Sequence, residues 1–141
     1  MTAARDEARE IRVVLDRSAL ESYLSGHVHV GEVITEVADD AIVGIPATTL
    51  LAAHIGALGN EHAKALLRLL VAAEGVVVLD LGAVEAARIA GTVPLVGGDL
   101  ARAHAVWAAN VHRALYLTAE PHEVKSVVPP ENVLAIPADD I

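Results

Sequence analysis

The chain has 141 residues, with 19 Asp and Glu against 10 Lys and Arg, for a formal net charge of −9. A chain of this length is one domain's worth of material and buries roughly 70% of its unfolded surface without staples. The acidic balance and an aromatic content of 2% argue against a basic nucleic-acid platform and against base-stacking modules, and the absence of Cys excludes disulfides, zinc ribbons and thiol chemistry. With 54% hydrophobic residues and no Phe, the core must be aliphatic. An acidic site that meets nucleic acid through a cation stays open.

Residues 1–11 read as a polar lead-in to a single domain over 12–141. They carry no apolar export segment. No apolar run approaches the roughly 20 residues of a spanning helix, so no membrane is expected and the cytoplasm is the expected compartment. Ile11 to Leu15 is a β-branched run that predicts a buried strand. Ser18 to Leu24 has helical spacing and stops at Gly26. Val30, Val33, Ile34 and Val37 repeat at i, i+3, i+4, i+7 and predict an amphipathic helix. Ile42 to Ile45 predicts a strand before Pro46, followed by helices over 47–58 and 61–73 that Gly59-Asn60 separates.

Gly75-Val-Val-Val-Leu-Asp80 predicts a strand covered on both faces. A short helix follows over 83–90. Gly97-Gly98 breaks the chain before a long Ala-rich helix over 99–111. Ala114 to Thr118 predicts a strand, Glu120-Pro121 the start of a short helix, and Val133 to Ile136 a last edge strand. Strands alternating with helices imply an α/β fold: a three-layer α/β/α sandwich with a mainly parallel sheet.

Ligands of open parallel sheets sit outside the carboxyl ends of the strands. Asp16 and Thr118/Glu120 lie at or just past strand ends, and Asp99 opens a helix. Asp16, in Val-Val-Leu-Asp-Arg-Ser18, is either a ligand for a hard divalent cation, oriented by Ser18, or the cap of the next helix. Asp99 is explained by capping alone, whereas Glu is a poor cap and Glu120 gains weight as a ligand. Arg102, one turn after Asp99, is placed to pair with it at the surface. His104 falls mid-helix and is expected to pack or hydrogen-bond. The seven His form no zinc motif. A receiver-like phosphoacceptor domain, with Asp80 or Asp16 as acceptor and Thr118 and Lys125 as accessories, is a weaker alternative.

Four segments in order carry a resemblance: Val14-Leu-Asp-Arg-Ser-Ala-Leu20, Ile45-Pro-Ala-Thr-Thr-Leu-Leu-Ala-Ala53, Gly98-Asp-Leu-Ala-Arg-Ala-His-Ala-Val106 and Tyr116-Leu-Thr-Ala-Glu-Pro121. Together they resemble the PIN domain, the fold of VapC-type toxin ribonucleases, from about Arg12 onward. The resemblance implies four acids around Mg²⁺ or Mn²⁺. Asp16 matches the first acid, the second falls at Ala52 and is missing, and the third falls at Arg102. Asp99 keeps an auxiliary acid, Glu120 stands at the fourth position, and Thr118 keeps the accompanying hydroxyl.

Two readings follow. In the first, Asp16, Asp99 and Glu120 are catalytic metal ligands, Ser18, Thr118 and Arg102 support them, and a metal-bound water cleaves RNA, as in a weakened endoribonuclease toxin. In the second, the site is degenerate and the protein acts through protein or RNA binding. The resemblance also implies a homodimer and an antitoxin partner, either of which would cover an apolar face such as Val30/Val33/Ile34/Val37.

Overall fold

A computed structural model describes residues 9–137. Five strands form one sheet: β1 (Ile11–Leu15), β2 (Ile42–Pro46), β3 (Val76–Leu79), β4 (Leu115–Thr118) and β5 (Val133–Ala135). Six helices connect them: α1 (Arg17–Leu24), α2 (Val28–Ala38), α3 (Ala47–Gly56), α4 (Glu61–Ala72), α5 (Ala83–Ile89) and α6 (Leu100–His112). Short 3₁₀ turns occupy Val93–Val96, Pro121–Val124 and Pro130–Asn132. Every strand pair is parallel, in the order β3-β2-β1-β4-β5.

The strands divide the core by their two-residue period. Val13, Leu15, Val43, Ile45 and Leu117 point to one face and pack with Leu20, Val30, Ile34, Leu67 and Leu70 of α1, α2 and α4. Val14 and Tyr116 point to the other and pack with Ile89, Val96, Val106 and the alanines of α6. Ala at 103, 105, 108 and 109 keeps α6 close to the sheet, and α6 lies against β1, β2 and β4. The result is the three-layer α/β/α sandwich with a parallel sheet.

Three expectations change. β3 is an edge strand, not one covered on both faces: Val77 is 42% exposed, because a four-residue apolar run does not distinguish an edge from a centre. The face Val30/Val33/Ile34/Val37 of α2 is not an open surface. Val30 and Ile34 are buried, and Val33 and Val37 pack on the same core, which is what an amphipathic stripe does inside its own domain. The sheet order also departs from the 2-1-3-4-5 order of receiver domains, and Asp80, after edge strand β3, is exposed. The lead-in expected over 1–11 lies mostly outside the described residues, and β1 already begins at Ile11.

Glycine is required where the chain enters β3. Gly75 has φ +83°, and a Cβ there would come within 2.7 Å of the Ala38 Cβ. Gly97 and Gly98, with φ +68° and +82°, make the left-handed turn that delivers Asp99 to the start of α6.

Candidate functional site

Strand order reverses between β1 and β4. Connections leave β1 toward β2 on one side and enter β4 from the other, so the crevice beyond their carboxyl ends is the topological switch point. Asp16 follows β1 and Thr118 ends β4, which places both at that crevice.

Asp16 is 3% exposed and fully engaged. One carboxylate oxygen, Oδ1, accepts from the Ala19 N–H at 2.9 Å and from Ser18 Oγ at 2.6 Å. The other, Oδ2, accepts from the Tyr116 hydroxyl at 3.1 Å. Asp16 is therefore the N-cap of α1. Ser18 spends its single proton on Asp16, so at 3.2 Å the Thr118 hydroxyl donates to Ser18 Oγ, which also accepts from the Ala119 N–H at 2.8 Å. Thr118 Oγ1 in turn accepts from the Glu120 N–H at 2.8 Å. This chain of bonds ties the start of α1 to the end of β4.

Arg102 occupies the other half of the crevice. Its side chain is 12% exposed. Nη2 donates to Glu120 Oε1 at 2.6 Å, while Nη1 lies 3.6 Å from Asp99 Oδ2 and 3.9 Å from Glu123 Oε2. Its charge also acts on the buried Tyr116 hydroxyl, favouring the phenolate. Asp99 caps α6 by accepting from the Arg102 N–H at 3.0 Å. Thus the expected Arg102–Asp99 pair exists, but it is not a surface pair, and the closer partner is Glu120.

Tyr116 lies between the two halves, within electrostatic reach of both Asp16 and Arg102. It is fully buried, and burial, reinforced by the Asp16 carboxylate, pushes its phenol pKa far up against the opposing pull of Arg102. It stays protonated and donates to Asp16. Its role was hidden by its place in an apolar strand. The available signal was chemical: a buried Tyr needs a partner for its hydroxyl. Arg17 adds a second guanidinium nearby. Burial alone would lower its pKa, but Glu21 at 2.8 Å, Asp99 and Glu120 outweigh this, and the net shift is upward.

All six residues singled out at this rim, Asp16, Ser18, Asp99, Arg102, Thr118 and Glu120, belong to one bonded network. Ala52, where the resemblance expects an acid, lines a cleft with Glu21, Leu24 and Ser25. Among the described residues, no three His, Asp or Glu side chains gather as a metal-binding group. The donor set fits a divalent ion poorly. Both oxygens of Asp16 accept hydrogen bonds, and a guanidinium stands between the remaining acids. At an effective dielectric of 20, a dication about 4 Å from that guanidinium is repelled by about 8 kcal/mol, which cancels the attraction of one carboxylate at the same distance.

No family model matches the chain, and no curated protein does. Among solved structures, a chain of a toxin–antitoxin complex from Klebsiella pneumoniae superposes with a TM-score of 0.67. The match covers 87% of this chain and 96% of that one, at 15% sequence identity. The likeness is one of fold. No described helix is long and apolar enough to cross a membrane.

Proposed function

We propose that this chain is a PIN-like protein of the toxin–antitoxin type in which Arg102 has taken the place of the metal ion, so that it acts by binding and not by metal-dependent hydrolysis. The observation that carries this reading is the 2.6 Å bond from Arg102 to Glu120, made by a guanidinium that also faces Asp99. Clustered carboxylates repel unless a cation holds them, and here the cation is a side chain. Arg presents a planar fork of donors suited to this task and keeps its charge at every physiological pH. The resemblance to a toxin–antitoxin chain supports an antitoxin-like protein as the partner. The pure chain is expected to leave structured RNA intact, with Mn²⁺ and with EDTA alike. Cleavage that needs Mn²⁺ and disappears in Asp16→Asn would refute it.

The same rim keeps a second reading in view, the weakened Mg²⁺- or Mn²⁺-dependent endoribonuclease. What favours it is that Asp16, Asp99 and Glu120 do converge on the switch-point crevice through one network. It requires Arg102 to swing out and hold a substrate phosphate while the acids take the metal. The Mn²⁺-dependent cleavage described above is its signature. A homodimer is part of either reading.

A further inference from the structure

His104 lies on the face of α6 turned into the protein and is 1% exposed. Its Nδ1 is 2.7 Å from Thr48 Oγ1 on α3. Its Nε2 is buried with no hydrogen-bond partner. Leaving a buried polar atom unpaired costs about 1–3 kcal/mol, so native proteins rarely tolerate it without a use. Burial lowers the imidazole pKa against an opposing pull from Glu85, so the ring is neutral near pH 7 and keeps one donor and one acceptor nitrogen.

His104 and Thr48 form the polar part of a cavity of about 390 Å³ bounded by Leu81, Ile89, Val93 and Leu100. That volume falls at the small end of the range for ligand pockets, and an apolar wall with one or two polar groups is the usual composition of such a pocket. No charged side chain lines it. Leu81 and Leu100, 45% and 65% exposed, leave the mouth open. A lone ordered water needs two to four polar partners, and the cavity offers few.

We propose that this cavity, remote in role from the acidic rim, binds a small uncharged molecule, aliphatic or with one ring, whose single carbonyl or hydroxyl pairs with His104 Nε2. Charged ligands would be left without a counter-charge and are excluded. Either tautomer of the ring serves, since Thr48 can donate to Nδ1 or accept from it.

The test titrates the full chain, labelled at histidine, with cyclohexanone, cyclohexanol and methylcyclohexane, and follows the His104 ring resonances by NMR. Expected are saturable shifts with cyclohexanone or cyclohexanol and binding of methylcyclohexane about tenfold weaker. Ala86→Phe, a substitution at an exposed cavity position that should fold normally, is expected to abolish the shifts. His104→Phe is expected to erase the preference for the polar probes. Equal binding of all three probes would overturn the proposal, as would shifts that survive in Ala86→Phe or no saturable shift with any probe. So would His104 resonances that change with protein concentration and exclude the probes, because a second copy of the chain would then be the occupant.

Discussion

The acidic rim and the His104 cavity lie on the same helix, α6, yet they treat polar groups in opposite ways. At the rim the side-chain oxygens of Asp16, Ser18 and Thr118 and both Nη atoms of Arg102 have partners in one network. At the cavity one nitrogen, His104 Nε2, has none. A closed network is built to hold a shape, while an orphaned donor or acceptor is built to receive something or tolerates a penalty. At the rim the acids share a guanidinium, and at the cavity a polar atom is left without a partner.

The contrast is sharpest for Arg102→Ala. Removing the guanidinium leaves Glu120 and Asp99 short of a partner. Breaking a fully buried pair costs about 3–5 kcal/mol. Because Glu120 is 43% exposed, a loss of about 2–3 kcal/mol is expected, read as a lower urea midpoint. Tyr116→Phe leaves Asp16 Oδ2 unpaired. It is expected to lower stability by about 1–2 kcal/mol in the same measurement.

The rim was legible in outline. The β-branched run before Asp16, the glycines before Asp99 and the Glu-Pro after β4 put three acids at strand or helix ends, and the parallel topology brings them to one crevice. What the sequence withheld was long-range pairing. Arg102 reads as an i, i+3 partner of Asp99, since local spacing is visible, whereas Glu120, 18 positions away, becomes its nearest acid only through the fold. Thr48 and His104 are 56 positions apart and meet for the same reason, although His104 itself was expected to pack or hydrogen-bond. The buried stripe of α2 and the exposed edge of β3 were misjudged because periodicity marks an apolar face without naming what covers it.

The cavity gives a pH signature. The folded-state pKa of His104 lies below its unfolded value near 6.5. Between those two values the unfolded chain holds the extra proton, so stability falls as pH drops from about 6.5 toward the depressed folded value and levels off below it. Urea midpoints between pH 7.5 and 5 should fall less steeply for His104→Phe than for the wild type. An unchanged slope would place the proton uptake on other histidines. The smallest effect belongs to the exposed pair Arg17–Glu21, 2.8 Å apart. Glu21→Gln should change the urea midpoint by less than the equivalent of about 0.5 kcal/mol.

Calorimetric titration of Mn²⁺ into the wild-type chain, beside Arg102→Asp, bears most directly on the claim that Arg102 stands where the metal would. The wild type is expected to give no heat beyond dilution, and the variant, which exchanges the guanidinium for a fourth rim carboxylate, a measurable binding isotherm. One-to-one Mn²⁺ binding by the wild type that Asp16→Asn removes would contradict the account.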